Sequence, residues 1–285
     1  MTDTPPAPKP GDESAKEHGC EHGYVIAKLG GSIITDKTRL QTADEDAIER
    51  FAAAFGALPV ESRRRLLLVA GGGSFGNSTA HPDFAPDAPD RIAASLPVIR
   101  QWAAIFERAW HRAGPPCQVF TADHLLRNVG RGARFDATPL FAALAEGRIP
   151  VMMPGVVFQQ RRTNLVSSDL MPLFASRVFK TVRFAALSDV AGVRISGETV
   201  PRIAVADRRR ALDAATQSDK PDATGGMKLK LQVMLRMASQ DVEGVICSGR
   251  PELVNAALFT SPPPGTWILP GATDTPRPTA MAAQC

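Results

Sequence analysis

Two glycine-rich stretches contain the residue types best suited to chemistry. The first joins Lys28 to Gly30, Gly31 and Ser32, and the second covers residues 71–76 (GGGSFG). Glycine lets a backbone approach an anion closely and turn its N–H groups toward it. Taken alone, each stretch could equally be a tight turn required for packing. Two of them, one with a lysine on the preceding strand, favour phosphate binding, although neither matches a Walker A loop or a dinucleotide-binding fingerprint.

A further glycine pair opens a predicted helix that carries two lysines. Thr224, Gly225 and Gly226 lie directly before Lys228 and Lys230. Positive charge in the first helical turn opposes the helix dipole at a cost of about a few tenths of a kcal/mol, and a bound anion would offset that cost. The alternative is an ordinary N-cap by Thr224 with both lysines in solvent.

Two acidic residues follow predicted strands. Asp169 comes after Ser167 and Ser168, where it could cap a helix or orient two lysines at a phosphoryl-transfer centre. Asp189 begins the turn after the predicted strand 182–187, and a plain surface turn is the alternative there. Two lysines, an orienting aspartate and loops rich in N–H groups supply the positioning and the charge that phosphoryl transfer requires.

The elements that position these residues alternate along the chain. Predicted strands cover residues 24–29, 65–70, 118–120, 149–153, 182–187, 243–247 and 266–269. Predicted helices cover residues 44–57, 91–111, 138–146, 169–179, 204–215, 227–240 and 252–258, and residues 155–158 and 164–167 could form a hairpin at the sheet edge. This alternation predicts an α/β fold with a mainly parallel central sheet. Ligands of such folds bind at the carboxyl ends of the strands, where the glycine-rich stretches lie.

The composition excludes several classes of protein. The chain has 285 residues, 44% of them hydrophobic and 22% charged, with a net charge of +4. No apolar run approaches the ~18 residues of a membrane helix, and residues 1–20 lack the apolar segment of a signal peptide. Short arginine clusters and an aromatic content of 6% argue against a nucleic-acid partner. We therefore expect a globular protein without a membrane or nucleic-acid partner.

The cysteines and the two ends of the chain indicate no further chemistry. The cysteines lie at positions 20, 117, 247 and 285, too far apart for a zinc or redox motif, and reduced thiols predict a cytoplasmic protein. Residues 1–22 and 271–285 are expected to be flexible tails around a domain at 23–270. His18, Cys20 and His22 are metal-ligand types, but they lie in a proline-rich tail, so metal binding there is the weaker alternative.

Five motifs, in this order, resemble the amino acid kinase superfamily and within it the branch of isopentenyl phosphate kinase and fosfomycin-resistance kinase. They are KLGGSIITDK (28–37), GGGSFGN (71–77), SSD (167–169) followed by Pro172, SDVAGV (188–193) and DATGGMKLK (222–230). The resemblance covers about residues 24–270. It implies a three-layer αβα sandwich with a mainly parallel open central sheet, usually a homodimer, and a kinase that uses ATP and Mg²⁺.

The resemblance implies a role for each matched residue. Lys28 would bridge the β- and γ-phosphates, Lys230 would stabilise the leaving phosphate, and Asp169 would hold both lysines in place. Lys37 would assist at the phosphates. The other expected nucleotide contacts are Gly30, Gly31, Ser32, Asp189, Thr224, Gly225 and Gly226. The expected acceptor contacts are Gly71, Gly72, Gly73, Asn77 and Gly155, and no residue is expected to bind metal directly.

The sequence departs from the family pattern mainly on the acceptor side. Asn77 stands where the family's second glycine loop ends in a histidine, and an amide cannot carry a positive charge. His81 could occupy that space if the segment is helical, but a solvated loop histidine is favoured. Pro154-Gly155 replaces Gly-Asp, and proline removes a backbone N–H. In the nucleotide and transfer motifs, Ala191 replaces an aspartate.

Together these residues predict an ATP-dependent kinase that transfers the γ-phosphoryl group to a small phosphate-bearing acceptor, isopentenyl phosphate or a related monophosphate. Such an acceptor supplies its own nucleophilic oxygen and needs no general base. The alternatives are a fosfomycin-type phosphonate kinase, a kinase of another small acid or alcohol, and a nucleotide- or oxyanion-binding protein without turnover. Retention of Lys28, Asp169 and Lys230 argues against the last, since binding alone would not require this set.

Overall fold

The computed structural model describes residues 23–36, 38–81, 83–129, 132–159, 162–216 and 226–271. Its strands are β1 (Tyr24–Leu29), β2 (Leu66–Ala70), β3 (Cys117–Thr121), β4 (Leu126–Val129), β5 (Gly132–Phe135), β6 (Ile149–Met153), β7 (Gly155–Gln159), β8 (Arg162–Val166), β9 (Thr181–Ser188), β10 (Arg194–Ile195), β11 (Glu198–Thr199), β12 (Arg202–Ala204), β13 (Glu243–Ser248) and β14 (Thr266–Leu269).

The helices within these ranges are α1 (Glu45–Gly56), α2 (Val60–Arg64), α3 (Gly73–Gly76), α4 (Arg91–Ala94), α5 (Leu96–His111), α6 (Ala122–Leu125), α7 (Thr138–Ala145), α8 (Met171–Ala175), α9 (Arg208–Thr216), α10 (Gly226–Ala238) and α11 (Val254–Phe259). Short 3-10 turns cover Gly31–Ile33, Asn77–Ala80, Ser168–Leu170, Val205–Asp207 and Pro251–Leu253. None of these helices is long and apolar enough to cross a membrane.

A central sheet of eight strands organises the described residues, in the order β12-β14-β13-β9-β1-β2-β6-β3. β1 pairs in parallel with β2 and β9, β6 with β2 and β3, and β13 with β9. Within this sheet the β13–β14 pair runs antiparallel. The predicted α/β fold with a mainly parallel sheet is confirmed. As a consequence, the carboxyl ends of β9, β1, β2 and β6 lie along one edge.

Two hydrophobic cores cover the two faces of this sheet. On β1, Tyr24 and Ile26 join a cluster that includes residues of α7, α8 and α10. Val25, Ala27 and Leu29 point to the opposite face and join a cluster that includes residues of α1, α5 and α11. Successive side chains of a strand alternate between faces, and every residue of β1 is buried. The helices therefore form a layer on each face, and the expected three-layer αβα sandwich is confirmed.

The predicted helix 91–111 is wrong in one respect, because it is two helices. α4 and α5 meet at Ser95, whose hydroxyl donates to the Ile92 carbonyl at 2.7 Å. Pro97 lacks an N–H and cannot complete a continuous helical ladder across this point. The side chain of Asp90, which caps α4, accepts a hydrogen bond from the Thr163 hydroxyl on β8. The break thus allows α4 to contact the β7–β8 pair.

Two other predicted helices differ from the structure at one end. The predicted helix 204–215 begins too early, because Ala204 ends β12 and α9 begins at Arg208. β12 pairs in parallel with β14, so a distant strand overrides the local helical pattern there. The predicted helix 169–179 extends too far, because α8 ends at Ala175. Beyond it the chain continues in turns, with the Val178 N–H donating to the Ala175 carbonyl at 3.0 Å.

The predicted hairpin after residue 154 is present, but it does not lie at the sheet edge. β7 and β8 pair antiparallel as a separate two-stranded ribbon. β7 follows β6, which already has β2 and β3 on its two sides. Pro154 between them offers no N–H with which to extend the ladder. The sequence patterns do not predict the β4–β5 and β10–β11 ribbons or β12.

Candidate active site

The two glycine-rich stretches lie side by side at the carboxyl ends of β1 and β2. The N–H of Gly30 donates to the Leu187 carbonyl on β9 at 2.9 Å, and that of Gly71 donates to the Leu29 carbonyl on β1 at 2.8 Å. Each loop therefore continues the sheet ladder for one residue beyond its strand. This is the edge at which open α/β sheets bind their ligands.

The two glycine loops touch backbone to backbone. A Cβ added at Gly31 would overlap the backbone of Gly73, and one added at Gly71 would overlap the backbone of Gly31. Gly73 also has a φ of +50°, which side chains rarely permit. Close packing alone therefore accounts for glycine at these three positions. The phosphate contacts of these loops stay a prediction.

A buried carboxylate joins two lysines beside the first loop. Lys28 Nζ lies 2.5 Å, and Lys230 Nζ 3.6 Å, from the same oxygen, Asp169 Oδ1. The exposed fractions of the Lys28, Lys230 and Asp169 side chains are 3%, 11% and 8%. Burial alone would raise the pKa of Asp169, but the two ammonium groups outweigh burial and hold this pKa below its ordinary value of 3.8. Two positive charges on one carboxylate leave a net positive, water-poor site that would attract an anion.

The alternating side-chain directions of β1 and the starts of α8 and α10 bring these three side chains together. Lys28 follows Ile26 by two residues, so it faces the side of the sheet that α8 and α10 cover. Asp169 lies in the 3-10 turn before α8, and Lys230 lies near the start of α10. The N–H of Asp169 donates to the Ser167 hydroxyl at 3.2 Å, so Ser167 is the cap. The alternative that Asp169 serves as an N-cap is therefore wrong.

Several predicted site residues lie outside the described ranges: Lys37, Thr224, Gly225 and the possible metal group His18, Cys20 and His22. Gly226 is the first residue of α10. Lys228 is exposed, whereas Lys230 is buried. The alternative of a lysine in solvent therefore applies to Lys228 and is wrong for Lys230.

Two neutral N–H groups donate hydrogen bonds to carbonyls of the second loop. Asn77 follows α3, and its backbone N–H donates to the Gly73 carbonyl. Behind the loop, the indole N–H of Trp102 donates to the Gly71 carbonyl at 3.1 Å. The Trp102 ring stacks on Phe75 with the ring centroids 4.9 Å apart. The Asn77 backbone and the Trp102 indole thus support the second glycine loop.

His81 does not take the helical position that could replace the family histidine. The turn Asn77–Ala80 is a 3-10 helix and His81 itself is extended, so the α-helical i, i+4 spacing does not form. The ring Nδ1 lies 3.7 Å from Asp83 Oδ2, and the side chain is 42% exposed. The structure supports the interpretation of His81 as a solvated loop residue.

The Pro154-Gly155 departure changes the packing around the second loop. The proline ring lies beside this loop, with Cγ 3.2 Å from where a Cβ at Gly72 would stand. A Cβ at Gly155 would lie 2.6 Å from the backbone nitrogen of Ala122. Gly155 is therefore required for close packing against α6, and its contact with an acceptor stays a prediction.

A buried threonine holds the loop after β9. The Thr266 hydroxyl accepts the N–H of Val193 at 2.8 Å and donates to the Val200 carbonyl at 2.6 Å. At the start of this loop the exposed Asp189 accepts a hydrogen bond from the Ser188 hydroxyl at 3.1 Å. Sequence reasoning missed Thr266, because its partners lie 66 and 73 residues away along the chain.

A cavity of about 570 Å³ adjoins the first glycine loop at Ser32 and Thr35. Its other lining side chains are mostly acidic: Asp36, Asp44, Glu45 and Asp46, with Arg39 and Ala43. Hydrogen bonds from Thr38 and Arg39 lower the pKa of Asp36 to about 2, so this carboxylate is charged at neutral pH. Arg39 pairs with Asp36 at 2.8 Å and Arg112 pairs with Glu45 at 2.9 Å, so cationic side chains balance part of this negative charge.

The family is shown by a match over most of the chain. The sequence model described as the amino acid kinase family matches residues 23–248. The chain belongs to the amino acid kinase family. Kinases transfer a phosphate group, and membership of this family implies ATP as the donor. The family predicted from the five motifs is confirmed.

Relatives within the amino acid kinase family act on different acceptors. The chain is 27% identical over 258 residues to the glutamate 5-kinase of Nitratidesulfovibrio vulgaris, covering 87% of this chain and 66% of that kinase, slightly less than two thirds of its length. It is 29% identical over 224 residues to the isopentenyl phosphate kinase of Haloferax volcanii, covering 75% and 88%. The match to isopentenyl phosphate kinase supports the predicted branch. The match to glutamate 5-kinase means that these relatives do not determine which acceptor this chain uses.

A solved structure shows the same fold. The product complex of T. acidophilum isopentenyl phosphate kinase matches this chain with a TM-score of 0.64 at 23% identity, covering 86% of this chain and 99% of that one. This likeness agrees with the layered sheet described above.

Proposed function

We propose that this kinase transfers the γ-phosphoryl group of ATP to a small phosphate-bearing acceptor, isopentenyl phosphate or a related monophosphate. The observation that supports the proposal best is the pair of buried lysines on Asp169, next to two loops that present backbone to each other. Two buried cations held on one carboxylate argue against a protein that only binds nucleotide, because binding alone would not require this costly set.

The lysines supply the charge that phosphoryl transfer needs. In the proposed site Lys28 bridges the β- and γ-phosphates and Lys230 stabilises the leaving phosphate. Asp169 Oδ1 lies within 3.6 Å of both ammonium groups and would fix their separation. Transfer depends on positioning and on preorganised charge rather than on covalent chemistry by the protein. Lys37 is proposed to assist at the phosphates.

The residues present fit a nucleotide with its metal. When bound, ATP supplies the γ-phosphoryl group and Mg²⁺ neutralises its oxygens. The proposed nucleotide contacts are Gly30, Gly31, Ser32, Asp189, Thr224, Gly225 and Gly226, beside Lys28 and Lys230. Within the described residues no group of three or more His, Cys, Asp or Glu side chains could hold a metal ion. We propose that Mg²⁺ is held mainly through the phosphates of the nucleotide, as is usual in kinases.

The second loop would hold the acceptor. We propose contacts from Gly71, Gly72, Gly73, Asn77 and Gly155. A phosphate-bearing acceptor brings its own nucleophilic oxygen, so the neutral Asn77 side chain needs only to donate a hydrogen bond. An acceptor with a carboxylate is the second candidate, because the glutamate 5-kinase of N. vulgaris is among the relatives. The phosphonates in the assay described below test the alternative of a fosfomycin-type phosphonate kinase.

Three broader features belong to the same proposal. We propose that residues 23–270 form one catalytic domain, that residues 1–22 and 271–285 are tails, and that the protein acts as a cytoplasmic homodimer. Size-exclusion chromatography with light scattering tests the dimer: a mass near twice 30.4 kDa supports it, and a mass near 30.4 kDa contradicts it.

A coupled assay of ADP release tests the function. The purified chain is incubated with Mg-ATP and panels of monophosphates, phosphonates and carboxylates, with Lys28→Ala as the inactive control. We expect the highest turnover with a monophosphate. Highest turnover with glutamate or another carboxylate would replace the proposed acceptor, and absence of turnover above the control in every panel would overturn the kinase proposal.

A further inference from the structure

The Thr35 hydroxyl ties the two glycine loops together, and the Ser74 hydroxyl ties the second loop to Thr42. We refer to these two hydroxyls with their bonds as the loop clasp. Thr35 Oγ1 donates to the Gly31 carbonyl at 2.7 Å and accepts the N–H of Ser74 at 3.0 Å. Ser74 Oγ accepts the N–H of Thr42 at 3.1 Å and donates to the Thr42 carbonyl at 3.0 Å. Thr35 and Ser74 are each 5% exposed.

The loop clasp joins the two sides of the proposed reaction. Gly31 lies in the loop that would contact the transferred phosphoryl group, and Ser74 follows the glycines that would hold the acceptor. Backbone contact between these loops limits how closely they approach. Directed hydrogen bonds limit how far they separate or slide. A hydroxyl offers one donor and two acceptor sites, and Thr35 uses the donor on one loop and an acceptor site on the other.

The Thr35 bond also orients the first loop. The Gly31 carbonyl points at the Thr35 hydroxyl, and the peptide between Gly31 and Ser32 is trans. Because a trans peptide directs its C=O and N–H in opposite directions, the Ser32 N–H points away from Thr35. Rotation of this peptide would break the bond to Thr35 and would move the Ser32 N–H, one of the groups proposed to contact the nucleotide.

The same bonds anchor the segment between the loops. Thr35 forms an antiparallel bridge with Ala43, and the Asp36 N–H donates to the Thr42 carbonyl at 2.9 Å. Ser74 bonds to Thr42 at the base of this turn. The clasp thus holds three pieces of backbone in one arrangement.

We propose that the Thr35 hydroxyl is a positioning group that sets the spacing between the phosphoryl-donor loop and the acceptor loop, an inference that rests on the proposed kinase function. Thr35 acts through Gly31 and Ser74 rather than on a substrate. Misplacement of reacting groups by about 1 Å can lower the rate roughly 10²-fold while binding of each substrate persists. Loss of the clasp should therefore lower kcat and leave the separate substrate affinities nearly unchanged.

Three variants of the full chain test the loop clasp. Thr35→Val keeps the size of the side chain and removes both bonds, whereas Thr35→Ser keeps the hydroxyl. Thr181→Val is the matched control, since it removes another buried hydroxyl. This hydroxyl donates to the Phe179 carbonyl at 3.1 Å and lies at the start of β9, whereas the glycine loops lie at the carboxyl ends of the strands. Calorimetry gives the separate Kd values for Mg-ATP and for the best acceptor, and ADP release gives kcat per ATP-binding site.

For Thr35→Val we expect kcat to fall roughly 10- to 100-fold with both Kd values within about threefold of wild type. Thr35→Ser should keep kcat within about threefold, and Thr181→Val should leave it unchanged. If Thr35→Val does not fold, Thr35→Ala decides, because it removes the same two bonds without placing a methyl group between the Gly31 carbonyl and the Ser74 N–H. An unchanged kcat in the folded clasp variant, or equal losses of kcat and ATP affinity, would overturn the proposal. Absence of turnover in the wild-type chain would instead contradict the proposed function, and the clasp proposal would fall with it.

Discussion

Around the first glycine loop the chain places charge, with Lys28 and Lys230 on the carboxylate of Asp169. At the second loop it places neutral donors, the backbone N–H of Asn77 and the indole N–H of Trp102. The charged group needs three elements at fixed distances, because an unpaired buried charge is costly. A neutral donor can be exchanged for another at smaller cost. In the proposed function, the first side carries the reaction and the second side is where acceptors differ.

The largest expected effect is the loss of either lysine. Lys28→Ala or Lys230→Ala removes preorganised positive charge from the proposed transfer site, and we expect kcat to fall by roughly 10²–10³-fold. Lys228→Ala is the matched control, because Lys228 is exposed on the same helix as Lys230. ADP release measures kcat and circular dichroism checks the fold. Turnover at the wild-type rate in Lys230→Ala would contradict its assignment.

The next effect is on stability. Asp169→Asn leaves two buried ammonium groups without their counter-charge, and removal of one partner from a buried ion pair costs about 3–5 kcal/mol. Urea unfolding near neutral pH measures this difference in free energy of unfolding. Asp213→Asn, at an exposed position on α9, should change it by less than about 0.5 kcal/mol. Equal effects of the two substitutions would show that the pairing contributes nothing.

The stability difference between wild type and Asp169→Asn should also depend on pH. Because the folded protein holds the pKa of Asp169 below 3.8, the contribution of this carboxylate is complete well above pH 3.8 and is lost as the pH falls through the lowered folded-state pKa. The difference in unfolding free energy between wild type and Asp169→Asn should therefore shrink below pH 3.8. A difference that stays constant from neutral pH into that range would contradict the lowered pKa.

A smaller effect is expected from restoring charge on the acceptor side. Asn77→His introduces a group with an ordinary pKa near 6.5, and hydrogen bonds to charged groups contribute about 1 kcal/mol more than neutral ones. We expect the KM for isopentenyl phosphate to fall by up to about tenfold at pH 6 and less at pH 8. Asn77→Gln, which stays neutral, should show no such gain. No gain from histidine at pH 6 would rule out lost charge as the restriction.

The smallest effect concerns the support behind the acceptor loop. Trp102→Phe removes the bond to the Gly71 carbonyl, and we expect a loss of about 1 kcal/mol in stability and a rise in acceptor KM of up to about fivefold. Trp110→Phe on the same helix removes an equivalent bond, to the Pro115 carbonyl at 2.9 Å, away from that loop. It should match the stability loss and leave KM unchanged. A KM rise in both variants would contradict a specific role for Trp102.

Apart from β12, local patterns predicted the strands of the central sheet well, because the apolar run of each strand is contiguous in the sequence. β1, β6 and β14 have the predicted bounds, and β2 and β13 differ by one residue at an end. The patterns did not show that Ala204 belongs to a strand, since its pairing partner on β14 is Leu269. The patterns also predicted α4 and α5 as one helix, because the apolar spacing of residues 91–111 is helical throughout and Pro97 is the main sign of a break.

In the site, the motifs identified the charged residues but not their supports. The lysines and Asp169 were predicted together, and the structure places both lysines beside one carboxylate oxygen of Asp169. Thr35, Ser74 and Thr266 were given no role of their own, because each makes a contact 32 to 73 residues away along the chain. A hydroxyl in a sequence carries no mark of which distant carbonyl it will meet.

The backbone contact between the glycine loops sets limits on redesign of this protein. Gly31, Gly71 and Gly73 cannot accept side chains independently, because a change at one displaces the other loop. A library intended to alter the accepted substrate should therefore keep these three positions fixed and vary Asn77 and Pro154, which border the second loop. Variants chosen in this way would keep the phosphoryl-transfer geometry while sampling new acceptors.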